Sequence, residues 1–134
     1  MKYLLDVNAL ISLGISGHIF HPRVALWVDS LRSVRRVSLA TTPITELGFI
    51  RIISQPTPYG LSIDGSKDLL AKVKSTSPVP FSFIADGDDV SKLPDWVKRS
   101  KQTTDGHLAG LANANGAVLA TLDRGIPDSF LIPE

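Results

Sequence analysis

The sequence contains no cysteine, which excludes disulfides, thiolate metal sites and a cysteine nucleophile together. That absence agrees with a cytoplasmic location, where disulfides are rare in any case. Net charge is nearly absent too: fourteen Lys and Arg against thirteen Asp and Glu leave +1. Any nucleic-acid contact must therefore come from local basic clusters rather than from the field of the whole chain. No apolar run approaches the roughly 18 residues of a spanning helix, so no membrane partner is expected. The N-terminal apolar run is broken by Asp6 and is too short for a signal sequence. There is no P-loop, which leaves nucleoside triphosphate hydrolysis without support. Repeats and low-complexity tracts are also missing. What remains is a chain of 134 residues, 43% hydrophobic and 20% charged, expected to form one soluble α/β domain over residues 1–134.

Two short apolar runs organise the rest. Tyr3-Leu4-Leu5 opens onto Asp6, and Ala117 to Leu122 opens onto Asp123. Each reads as a buried strand with a carboxylate at its exit. Between them the pattern alternates. A short helix is predicted from Asn8 to about Gly14, followed by a loop from Gly17 to His21. Pro22 then opens an amphipathic helix to about Arg36, with Val24, Trp27, Val28, Leu31 and Val34 on its inner face. Val37–Ala40 reads as a strand. Thr42 and Pro43 begin a helix that should run to about Ser54. After the turn Gln55–Gly60, a helix is expected from about Asp64 to Ser75, then a strand over Phe81–Ile84. Ala85–Gln102 carries no clear pattern. Thr103 or Thr104 should cap a helix ending near Asn115-Gly116, and Phe130–Ile132 should add a last short strand. Strands alternating with helices imply a mainly parallel sheet covered on both faces.

In such a sheet the two strand-end acids leave at the same edge, where α/β sites form. The competing explanation is that aspartate is common in turns after strands. Glu46 discriminates better. Its helix carries Ile44, Leu47, Phe49, Ile50, Ile52 and Ile53, an almost wholly apolar surround. A carboxylate buried there needs a partner, a proton or a cation. Arg51 is poorly spaced to pair with it, so a partner from outside the helix is expected. Asp105 lies in the first turn of its helix, where the helix dipole alone favours an acid. Asn8 and Thr121 stand beside the strand-end acids and could orient them by hydrogen bonds. His18, His21 and His107 share no ligand spacing; the first two read as loop or cap residues and His107 as a helix-surface residue. Carboxylates without clustered histidine or cysteine favour a hard cation, Mg²⁺ or Mn²⁺, and with it phosphoryl chemistry.

Four segments taken in order resemble the successive motifs of PIN domains, and most closely those of VapC-type toxins. They are Leu4–Leu10, Thr42–Leu47, Thr103–Ala109 and Ala120–Gly125, and they span nearly the whole chain. The resemblance implies a Rossmann-like three-layer sandwich of strand order 3-2-1-4-5. It also implies an endoribonuclease dependent on Mg²⁺ or Mn²⁺, working as a homodimer and restrained by a cognate antitoxin. Asp6, Glu46, Asp105 and Asp123 match the family's acidic quartet, Thr121 its small hydroxyl position and Asn8 a frequent neighbour. Gly106 departs from the pattern, which has a larger residue there. On this reading Asp6, Asp105 and Asp123 hold the metal, and Glu46 completes the site or orients the attacking water. Lys98, Arg99, Lys101 and Arg124 flank the last two acids and are candidates to bring in the RNA backbone. Two rivals stand beside it: an RNA- or partner-binding module with a vestigial site, and a Mg²⁺-dependent phosphatase or receiver-like domain. The second rival would need a lysine on a late strand, and none stands out.

Overall fold

The computed structural model describes residues 1–134. Five parallel strands form one sheet of order β3-β2-β1-β4-β5. They are β1 (Lys2–Leu5), β2 (Ser38–Thr41), β3 (Phe81–Phe83), β4 (Ala117–Thr121) and β5 (Phe130–Leu131). Five helices connect them: α1 (Val7–Gly14), α2 (His21–Ser30), α3 (Pro43–Ile53), α4 (Ile63–Thr76) and α5 (Thr103–Ala114). The expected architecture is the one observed. From β1 the chain works outwards through β2 to β3, then returns to place β4 on the other flank of β1. The switch point therefore lies between β1 and β4.

Alternation along the strands divides the apolar side chains between two faces. Leu5, Leu39 and Ala120 face one core with Leu10, Val24, Val28, Phe49 and Ile53, residues of α1, α2 and α3. Leu4, Ala40 and Leu119 face the other, with Leu108, Leu111 and Ala112 of α5 and the loop residue Ile126. Trp27 stacks on Phe130 with ring centroids 5.5 Å apart and takes the edge of Tyr3 at 5.1 Å. This aromatic group ties α2 to β1 and β5. Arg23 of α2 donates from Nη2 to the Ile132 carbonyl at 2.5 Å, fastening the chain that follows β5.

Some boundaries differ from the sequence reading. Helix α2 stops at Ser30 and tightens into a 3₁₀ turn, Leu31–Ser33, before Arg36 turns back at φ 56. Val34 thereby leaves the inner face and is 51% exposed. Neither threonine caps α5. A 3₁₀ turn at Ser100–Gln102 feeds straight into it, and the Thr103 hydroxyl donates back to the Ser100 carbonyl at 2.8 Å. Nor is α3 enclosed on most sides: Leu47 is 68% exposed. Its apolar surround was an overestimate, because α4 and α1 cover only part of its girth.

Candidate active site at the switch point

Leu5 pairs with Ala120 in the β1–β4 register, so the next residues, Asp6 and Thr121, stand side by side at the carboxyl edge. Asp6 is also the N-cap of α1. Its Oδ1 accepts from the Ala9 amide at 2.8 Å, which turns the chain sharply from strand into helix. Its Oδ2 accepts from the Thr121 hydroxyl at 2.5 Å. The same hydroxyl oxygen accepts from the Asp123 amide at 3.0 Å. Thr121 is wholly buried and thus links the exits of both strands. The Asp123 carboxylate faces outwards and receives the Gly125 amide at 2.7 Å.

Burial sets the protonation of this edge. Asp6 is 6% exposed, and desolvation pushes its carboxyl up to about 6. The hydrogen bonds from Thr121 and Ala9 pull it down, while the charges of Asp105 and Asp123 push it further up. Asp105, in the first turn of α5, is also raised, first by burial and then by Asp123. Asp6 thus feels the charges of both other acids, and Asp105 feels that of Asp123. A group of titratable residues shifted by burial and like charge is a frequent mark of a functional site.

The chain shares 35% identity with Ribonuclease VapC38 of Mycobacterium tuberculosis over 92% of its own length and 86% of that protein. It shares 34% with Ribonuclease VapC39 of the same species, over 96% and 94%. The chain belongs to the VapC family. Ribonuclease VapC44, again from Mycobacterium tuberculosis, is 35% identical over 94% and 89%. In fold, the VapC-type PIN chain is similar to the crystal structure of VapBC2 from Rickettsia felis bound to a DNA fragment from their promoter. That likeness has a TM-score of 0.63 at 16% identity and covers 98% of this chain and 97% of the other. No protein-family model matches.

The remaining residues of the VapC chain named from sequence fall in varied places. Glu46 is not left short of a cation. It accepts from the Thr41 hydroxyl at 2.6 Å and forms an ion pair with Lys74 of α4. That lysine is the partner expected from outside the helix, 28 positions away. Asn8 is exposed, and its side chain makes no hydrogen bond to the acids. Arg99 and Lys101 line one cavity with Asp105 and Asp123. Lys98 is exposed nearby, whereas Arg124 pairs at the surface with Glu134 at 3.0 Å. His18 and His21 both lie against Ser12, at its hydroxyl and carbonyl respectively. His107 is no surface residue: it is 15% exposed and bonds Asp86 at 2.6 Å. The unpatterned stretch before α5 gave no signal for this pairing, since it joins residues from different elements.

Gly106 has a physical reason. A Cβ there would lie 2.2 Å from Val97 Cγ2 and 3.5 Å from Pro94 Cδ. The segment Pro94–Val97 rests directly on the first turn of α5, beside Asp105. Valine is stiff at this contact, so the loop rather than a side-chain tip would have to move. Gly106→Ala is expected to cost about 1–3 kcal/mol by overpacking, against the small gain alanine usually brings a helix. Val97→Ala in the same chain should restore most of the loss. Equal urea midpoints for the single variant and wild type would contradict this packing.

Proposed function

We propose that this chain is a divalent-cation-dependent endoribonuclease and the toxin half of a toxin–antitoxin pair. The observation that carries the reading is the link Asp6–Thr121–Asp123 across the switch point, with the charges of Asp105 and Asp123 both bearing on Asp6. Support comes also from the Mycobacterium tuberculosis relatives, which are named ribonucleases, and from the likeness in fold to VapBC2 of Rickettsia felis, a structure bound to a DNA fragment from their promoter. A cognate antitoxin and a second copy of the chain are its proposed protein partners.

The donor set fits a hard cation. It is all oxygen, and its charges oppose one another, which a divalent ion relieves. As the side chains stand, no three acids or histidines are gathered into a ready ligand cluster. Asp6, Asp105 and Asp123 would hold Mg²⁺ or Mn²⁺. When bound, such an ion supplies an acidified water and charge compensation at the scissile phosphate. The chain's own residues do the rest. Thr121 fixes the rotamer of Asp6 and the backbone of Asp123 with one hydroxyl. Arg99 and Lys101 offset the acids, so that a phosphate backbone can approach. Glu46, which lines a separate groove with Lys74 and Phe83, would complete the acid set from α3, with Thr41 and Lys74 holding its orientation.

The Lys74–Glu46 pair is also the observation that favours a second reading, an RNA- or partner-binding module with a vestigial site. One experiment separates the two. Purified protein is mixed with a structured RNA in Mg²⁺, in Mn²⁺ and in chelator. Cleavage that needs the cation is the expected result. Binding that persists in chelator, with no cleavage in either metal, would instead support the second reading.

A further inference from the structure

Trp96 has no place in the chemistry derived so far, yet it lines the cavity that holds Asp105 and Asp123. This cavity, of about 260 Å³, also presents Arg99, Lys101 and Gln102. Trp96 is only partly buried. It packs against the core under α5, the cluster of Leu4, Leu108 and Ile126, and keeps part of its surface in the cavity. A tryptophan serving the core alone would gain more by full burial. Here the indole stands among two cations and two carboxylates.

Its setting is fixed in advance. Gln102 Oε1 accepts from the Lys98 amide at 2.8 Å and the Arg99 amide at 3.0 Å, closing the turn after Trp96. The missing Cβ of Gly106 also seats Val97, the next residue, against α5. An indole carried on a backbone fixed this way, and packed on the core under α5, loses little further freedom when a ligand stacks on it. The charge balance gives a use for such stacking. The acids repel RNA, the chain carries only +1, and two cations supply limited attraction. Base–aromatic stacking is uncharged and tolerant of sequence, and so adds affinity where Coulomb attraction is short.

We propose that Trp96 is a stacking platform for one unpaired nucleobase of the RNA, next to the phosphate facing Asp105 and Asp123, with Arg99 and Lys101 on the adjoining phosphates. A base in this cavity has to leave its helical stack, so the nucleotide at the cut should be unpaired. This inference rests on the ribonuclease reading and names the substrate feature which that site would select.

Tryptophan emission provides the test, because the chain has two tryptophans and Trp27 is 6% exposed within its aromatic group. Single-stranded RNA is titrated into Asp6→Asn protein, which keeps the cavity but should not cut, and binding is followed in parallel by anisotropy. Saturable quenching with the same midpoint as the anisotropy is expected. Trp96→Leu should weaken binding roughly 5- to 150-fold, the range found for loss of one stacked base. Trp96→Phe, which keeps an aromatic face, should recover most of that loss, and thermal melts of each variant report on folding. In the wild-type background, Trp96→Leu should raise KM more than it lowers kcat, and an oligonucleotide abasic at the cut should lose the same factor. Normal RNA binding and cleavage with unchanged emission, or with Trp96→Leu indistinguishable from wild type, would overturn the stacking role alone. Absence of both binding and cleavage in every protein would overturn the ribonuclease reading and the inference with it.

Discussion

Asp6→Asn is expected to reduce RNA cleavage on the order of a thousandfold, while raising the stability of the fold at neutral pH. The two effects have one cause. Asp6 is held in an almost water-free position beside two other acids, and its carboxyl is pushed up to about 6. The folded chain therefore binds a proton there more tightly than the unfolded chain. Stability from this group is highest below the ordinary aspartate value near 4 and is lost as pH rises through about 6. Above that window the penalty is complete, about 3 kcal/mol for a shift of this size. Asparagine keeps an oxygen for the Ala9 amide and carries no charge, so the penalty disappears. Part of the gain is returned at Thr121, whose hydroxyl must then give up its charged acceptor. Urea midpoints at several pH values from 4 to 8 are the measurement. The variant should match wild type at the acid end and exceed it at the neutral end. A difference that does not change with pH would refute the account of Asp6, whatever happens to activity. Asp105 is raised by the same causes, so the variant should keep a smaller residual slope of the same sign.

The second large effect concerns support rather than chemistry. Phe49→Ala should destabilise the chain by about 3–5 kcal/mol, a large share of the roughly 5–15 kcal/mol typical of a domain. Phe49 is the largest fully buried side chain. It projects from α3 under α1, so close that a Cβ on Gly14 would lie 3.0 Å from its Cε2. A further contact shows how tightly these helices meet: a Cβ on Gly48 would lie 2.6 Å from Val7 Cγ2. Alanine at position 49 would leave a ring-sized void that neither helix can close without moving the other. Because α1 begins at Asp6, loosening its seat also loosens the first carboxylate. Activity should fall with temperature well before wild type does, and Phe49→Leu should keep much of both properties. Denaturant unfolding followed by far-UV signal tests the first expectation, and a temperature series of cleavage rates the second. A loss below about 1 kcal/mol would mean that the α1–α3 interface collapses freely onto the void.

The parts of this molecule legible in its sequence are those written in local pattern. Strand runs of Leu, Val and Ala, proline after an N-cap threonine, and a glycine after α5 place most elements within a few residues. A buried run that ends on aspartate also places Asp6 and Asp123 at one edge of a parallel sheet, because side-chain alternation and right-handed crossovers leave little choice. The helix ends were less legible. Val34 continues the helical pattern of α2, yet the backbone has already tightened and turned at Arg36.

Only the tertiary structure decided what the acids touch. The hydroxyl of Thr121 reaches Asp6 across 115 positions, Lys74 reaches Glu46 across 28, and His107 reaches Asp86 across 21. No periodicity encodes such meetings, because they depend on how helices lie on the sheet. Gly106 shows the same limit. As a letter it weakens the start of a helix; in space it is the gap that lets Val97, and Trp96 beside it, settle against the acidic edge. The opening runs alone determined that carboxylates emerge where a site can form. Packing decided which of them is desolvated, which is neutralised by a lysine, and which aromatic ring stands next to them, since burial and charge pairing are properties of neighbours in space.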